Sequence, residues 1–170
     1  NMLIWARSQM KAIKYEPEIL NVKFVVDACV KELKPNFDHK KVECLVRVER
    51  KCEVFADKSM IYTVIRNLLM NAIKFSFPGS KIRVTSENGT EECRIMFADE
   101  GIGIQPEIQE KLFDADEAIT SPGTTGESGS GLGLVICKEF LERNKGSIGV
   151  ESEPGNGSTF TVTLPMRDKK

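Results

Sequence analysis

Apolar residues recur along this chain at two spacings, and the switches between them mark out its elements. Val22, Val25, Val26, Cys29, Val30 and Leu33 repeat at helical intervals, predicting an amphipathic helix that Asn21 caps and Pro35 closes. Ile61, Val64, Ile65, Leu68, Leu69, Ala72 and Ile73 do the same over a longer span, predicting a helix over Lys58–Phe75 that stops at Pro78-Gly79. A third long helix is expected over 131–144, with Leu132, Val135, Ile136 and Phe140 on one side, and a short one over 106–112. Val42, Cys44, Val46 and Val48 alternate with polar residues, the period of a half-buried strand, and a short strand over 53–56 is expected to pair with it. Segments 81–86 and 93–98 predict a hairpin around Asn88-Gly89, a favoured turn dipeptide. Two last strands, Ser147–Ser152 and 158–164, flank a turn at 154–157. Residues 1–14, carrying Trp5, read as a helix tail ended by Pro17. Strands with helices interspersed point to an α+β two-layer sandwich, with helices on one face of a mixed sheet.

The Lys58–Phe75 helix carries a second stripe beside its apolar one. Asn67, Asn71 and Lys74 sit four and then three residues apart, so they line up along one flank. Asparagine is a mediocre helix former whose amide competes with the backbone, so a helix interior gains nothing from holding two. Lysine supplies a point charge suited to phosphate, and an amide oxygen suits a hard cation such as magnesium. Taken alone, the stripe also fits an ordinary solvated helix edge.

Two later segments change that balance. Asp99-Glu100-Gly101-Ile102-Gly103-Ile104 follows directly on the predicted strand ending at Phe97-Ala98. A carboxylate at a strand end can accept from an exocyclic amine, and glycines let a planar ring approach the backbone. The run from Thr120 to Gly133, TSPGTTGESGSGLG, has the composition of a linker but opens straight into an amphipathic helix. Glycines 129, 131 and 133 leave backbone N–H groups free at that helix start, where the dipole also favours anions. The pattern is a phosphate cradle joined to a lid. No GxxxxGK[ST] sequence and no HRD or DFG motif accompanies it.

Composition narrows the class further. A length of 170 residues, 41% hydrophobic and 29% charged, suits one globular domain with a proper core. A net charge of −1 argues against bulk binding to nucleic acid. No apolar run approaches the roughly 18 residues of a membrane span. The chain opens at Asn1 without an initiator methionine, which allows a longer parent with upstream membrane segments. The five cysteines form no CxxC pair and the single histidine offers no zinc set, so reduced, buried thiols in a cytosolic compartment are expected.

With NLLMNAIKF, DEGIGI and GSGLGL in that order, the chain resembles the ATP-binding domain of sensor histidine kinases, in the superfamily shared with gyrase, Hsp90 and MutL. LFDADEA holds the place of the family's phenylalanine box and GNGSTFTVTLP that of its closing strand. The resemblance covers roughly residues 18–165 and implies a Bergerat-type fold, a mixed sheet of about five strands backed by three main helices. It assigns Asn71 to magnesium, Asn67 and Lys74 to the phosphates, and Asp99 to the adenine amine, with Asn71 and Lys74 as the catalytic pair. Gly101, Gly103 and Ile104 would shape the adenine pocket. Gly129, Ser130, Gly131, Leu132 and Gly133 would border the lid and phosphates, Phe113 would anchor the lid, and Thr159 would place a hydroxyl at the adenine end. Two departures stand out: Glu100 replaces the usual Asn or Asp, and Asp116 lies near the place of the second aromatic of the phenylalanine box.

The resemblance further implies Mg-ATP as cofactor and transfer of its γ-phosphoryl group to a histidine on a dimerisation hairpin of the same parent. It also implies a response-regulator receiver domain as partner, no nucleic acid, a cytoplasmic domain that is monomeric in isolation, and a homodimeric parent for which a membrane anchor is allowed. Residues 1–16 would be the tail of that hairpin and 17–170 the ATP-binding kinase domain. His39, between a helix end and a strand, reads as a solvated loop residue and not as the acceptor. A hydrolase of the gyrase or Hsp90 kind carries a glutamate base where Asn67 stands, and an amide cannot take a proton from water. A nucleotide-sensing module that binds ATP without transfer fits the same residues.

Overall fold

The long helix organises the molecule. Asp57 caps it, its carboxylate accepting from Met60 N at 3.0 Å, and its other oxygen accepts from Glu16 N at 2.8 Å. From there eight apolar positions between Met60 and Ile73 are buried, and the seven larger than Ala72 are each worth roughly 1.5–3 kcal/mol once out of water. In the computed structural model, which describes residues 13–114 and 119–166, this helix is the third of five, counted among the described residues. The order is β1 (Pro17–Asn21), α1 (Val22–Glu32), α2 (Lys34–Lys40), β2 (Glu43–Arg47), β3 (Glu53–Asp57), α3 (Lys58–Phe75), β4 (Lys81–Asn88) and β5 (Glu92–Asp99). Then come α4 (Pro106–Gln109), α5 (Gly133–Arg143), β6 (Ser147–Ser152) and β7 (Ser158–Pro165).

Five strands form one mixed sheet in the order β2-β4-β5-β7-β6, with β2 and β4 parallel and the other neighbours antiparallel. The parallel pair requires a long crossover, which β3 and α3 supply. Val84, Phe97 and Phe160 lie in register across β4, β5 and β7 and are all buried. Alternation along each strand therefore turns one face of the sheet inward. Helices α1, α3 and α5 cover that face, with α3 between the other two. This is the α+β sandwich expected, with its five strands and three main helices.

Several local expectations give way. The helix tail expected over 1–14 falls almost wholly outside the described residues. Segment 53–56 pairs antiparallel with β1, in register Ile19↔Phe55, and not with the Val42 strand, which instead joins β4. Strand β1 has no signal of its own, because five residues become a strand only where a partner edge awaits them. Pro35 closes nothing: it sits in the first turn of α2, where its missing N–H costs no hydrogen bond. His39 accordingly lies in a helix and not in a loop.

The cysteines also divide differently. Cys52 and Cys93, 41 residues apart, are joined by a disulfide with 6.5 Å between their Cα atoms. Both are buried at the starts of β3 and β5, which the tertiary fold brings together. The remaining thiols are free, and burial pushes Cys29 and Cys137 up to about 12 and Cys44 up to about 11, leaving them inert at neutral pH.

Candidate nucleotide site

The C-terminal half of α3 forms the floor of a cavity of about 850 Å³, within the range of small-molecule sites. Asn67, Asn71 and Lys74 all line it, as their shared helix stripe requires. The opposite wall is segment 128–133, which leads into α5. The two walls meet residue against residue. A Cβ on Gly133 would lie 3.9 Å from Asn67 Oδ1, and one on Gly129 would lie 2.8 Å from Lys74 Nζ. The first contact could be tolerated; the second would push the flexible Lys74 ammonium aside and so disturb the cation that the cavity holds there. Helix α5 has no side-chain cap at its start, and Ser130 Oγ accepts only a long 3.3 Å bond from Leu132 N. Its first N–H groups therefore face the cavity with no intrahelical partner.

Asp99 ends β5 in the floor of the same cavity, only 8% exposed. Burial pushes its carboxyl up from 3.8 to about 6, while backbone N–H groups of Gly101 and Ser158 pull the other way. Gly101 N donates to Asp99 Oδ1 at 2.9 Å. Around this carboxylate the glycines have distinct tasks. At Gly101 a Cβ would meet Phe75 O at 2.2 Å, so only glycine lets the loop cross the end of α3. Gly103 has φ of +69° and would place a Cβ 2.0 Å from Glu153 O, which pins the loop onto the β6–β7 turn. Ile104, Leu112, Leu134 and Phe160 supply an apolar lining beside Asp99.

The expected residues separate into three groups. Asn67, Asn71, Lys74, Asp99, Gly103, Ile104, Gly129, Ser130, Gly131 and Gly133 converge on the cavity. Gly101, Phe113 and Leu132 stand behind its wall: Phe113 meets Phe160 edge-on at 6.5 Å, and Leu132 is the N-cap of α5 while Leu134 reaches the cavity. Thr159 is a correction. The period of two along β7 buries Ser158 and Phe160 toward the cavity and turns Thr159 to the other face of the sheet, so the hydroxyl beside Asp99 belongs to Ser158. Asp116 lies outside the described residues. Glu100 points away from the cavity, bonding Arg83 at 2.7 Å and Lys81 N at 3.1 Å, which hold its carboxyl below the usual range.

Sequence reasoning missed Lys40, His39 and Glu127, all of which line the cavity. Helix α2 carries the first two to its mouth. The only signal was their nearness in sequence to the unrecognised turn at Pro35. Lys74 itself is held below the ordinary lysine range by burial, partly offset by the Glu127 charge.

A floor of amide and ammonium groups facing free backbone N–H groups suits a polyphosphate, and a carboxylate beside an apolar wall suits an amine-bearing ring. A family model described as histidine kinase-, DNA gyrase B- and HSP90-like ATPase matches residues 56–168, about two thirds of the chain. The chain belongs to this family. Within it, sensor protein SrrB of Staphylococcus aureus (strain NCTC 8325 / PS 47) is 38% identical over 109 residues, 64% of this chain. The chain spans only 19% of SrrB's length. The nucleotide-free catalytic domain of histidine kinase ThkA superposes with a TM-score of 0.76 at 26% identity, over 88% of this chain and 95% of that one. Acinetobacter baumannii histidine kinase AdeS does so with a TM-score of 0.76 at 25% identity, over 98% and 74%. The chain is thus of the histidine kinase ATPase type. Among the described residues no helix is long and apolar enough to cross a membrane.

Proposed function

We propose that this domain binds Mg-ATP between α3 and α5 and donates the γ-phosphoryl group to a histidine on a dimerisation hairpin of its parent protein. The observation that carries this reading is the pairing of Asn67 with Gly133 and of Lys74 with Gly129 across one cavity, with Asp99 in its floor. Adenine would sit against Ile104 and Phe160 with its amine donating to Asp99. The phosphates would lie between Lys74 and the N–H groups of 129–133, where Lys74 balances charge that builds up on the transferring group.

Among the described residues no cluster of three or more acidic, histidine or cysteine side chains could hold a metal by itself. A magnesium ion would therefore arrive with the nucleotide, held by Asn71 Oδ1 and phosphate oxygens, and supply further charge neutralisation. The amide at Asn67 supplies no base for water, which favours transfer over hydrolysis.

His39 needs explicit exclusion as acceptor, since the fold brings it to the cavity mouth. The test is incubation with labelled ATP, with and without the upstream hairpin supplied separately. Label on the hairpin alone supports the reading. Acid-labile label on this domain that His39→Gln abolishes overturns the choice of acceptor, and ATP binding with no label anywhere leaves a nucleotide-sensing module. For the partner, a ThkA structure 22% identical to this chain contains the response regulator protein TrrA; a receiver domain taking phosphate from the hairpin fits the same scheme. The parent would be a homodimer and this domain alone a monomer.

A further inference from the structure

Lys40 is 4% exposed and carries an ammonium, and such a group stays charged inside a protein only when its donors are used. All three are. Nζ pairs with the Glu127 carboxylate, donates to Thr125 Oγ1 at 3.1 Å, and donates to Lys74 O at 3.1 Å. Glu127 and Thr125 belong to the loop expected to serve as a lid, and Lys74 O belongs to the last turn of α3. One side chain from α2 thus ties three separate segments together.

The loop around these contacts is a built turn. Gly123 N donates to Glu127 O at 2.9 Å, and Glu127 Oε2 accepts from Thr125 N at 3.0 Å. Thr124 adds two bonds to the end of α3, its N–H to Lys74 O at 3.1 Å and its hydroxyl to Ser76 O at 2.6 Å. Helix-terminal carbonyls lack intrahelical partners, so the turn and Lys40 together cap α3. Burial raises the Glu127 carboxyl, but its bonds to Lys40 and Thr125 prevail and hold it down at about 2. Only residues 128–132 separate this fixed turn from the start of α5, and Gly129, Ser130 and Gly131 lie among them.

We propose that Lys40 is a positioning residue for the phosphate-facing segment 128–132, acting through Glu127 and not by touching nucleotide. The pair fixes one end of that segment while α5 fixes the other, so its N–H groups stand ready opposite Asn67 and Lys74. Because Lys40 satisfies Glu127, Lys74 is left as the cation for phosphate. This inference rests on the Mg-ATP reading above.

The test is calorimetry on the full chain with magnesium and a non-hydrolysable ATP analogue, and separately with adenosine, which needs no lid. The variants are Lys40→Met, Glu127→Gln and the exchanged pair Lys40→Glu with Glu127→Lys. If unlatching leaves about a tenth of the lids competent, each single change weakens the ATP analogue about tenfold. Adenosine affinity should change less than about twofold, and amide exchange over 123–131 should speed up. The exchanged pair should recover part of the loss at most, since a carboxylate at position 40 can pair with a lysine at 127 but cannot donate to Lys74 O. Glu127 is about one-third exposed (34%), so Glu127→Gln decides the matter if Lys40→Met does not fold. Unchanged affinity for the analogue in Glu127→Gln, or equal losses for analogue and adenosine, overturns the latch while leaving the nucleotide reading intact. An unaltered chain that binds neither ligand overturns both.

Discussion

Replacing Asp99 with asparagine should stabilise the domain and damage its site at once. Asp99 is 8% exposed, and burial lifts its carboxyl from 3.8 to about 6. Holding it ionised at neutral pH therefore costs roughly 3 kcal/mol, at about 1.36 kcal/mol per pH unit. An asparagine can still accept from Gly101 N through its oxygen, but its NH2 would then face the Ser158 N–H, forfeiting about 1–2 kcal/mol. The net gain is about 1–2 kcal/mol, or roughly 2–8 °C in Tm. The sign with pH is definite. A carboxyl raised on folding contributes relative stability that is complete below 3.8 and lost as pH rises through about 6. The variant's advantage should therefore be full at pH 7.5 and shrink as pH falls from 6 toward 4. The same change removes the anionic acceptor for adenine, so ATP affinity should fall about ten- to a hundredfold. Thermal melts across pH 4–8, paired with calorimetry for ATP, test both halves. A variant less stable than the parent at pH 7.5, or a stability gap that does not move with pH, would refute the reasoning.

Three other outcomes follow from the same geometry. Asn71→Ala should weaken Mg-ATP far more than metal-free ATP, since the amide oxygen serves the metal; equal losses by calorimetry would remove Asn71 from that role. Leu69→Ala, at a fully buried position on α3, should cost about 2–5 kcal/mol in denaturant unfolding, and a loss below about 1 kcal/mol would mean that α3 does not pack as described. Thiol counting on the denatured, unreduced chain should find three alkylatable cysteines, with Cys52 and Cys93 protected. Reduction should then lower stability by about 3–4 kcal/mol, from the entropy of the loop it opens, and five reactive thiols would show the bond absent.

The sequence alone determined the three main helices, most strand positions and the stripe on α3, because these depend on periodicity. Ile61 to Ile73 could bury one face only as a helix, and that commits Asn67, Asn71 and Lys74 to a common flank. The glycine segments were legible for a related reason: backbone that must cross a helix end or turn with positive φ tolerates nothing larger, as at Gly101 and Gly103. What the sequence could not supply was pairing between distant segments. Strand β1 exists because β3 offers an edge to it, and Cys52 meets Cys93 because β3 lies over the start of β5. Thr159 and Ser158 are adjacent hydroxyls with equal claims until β7's register against β5 turns one inward. Lys40 looked like one of several surface charges beside His39. Only the packing of α2 against the last turn of α3 buried its ammonium, and a buried ammonium had to find Glu127, 87 residues further along the chain.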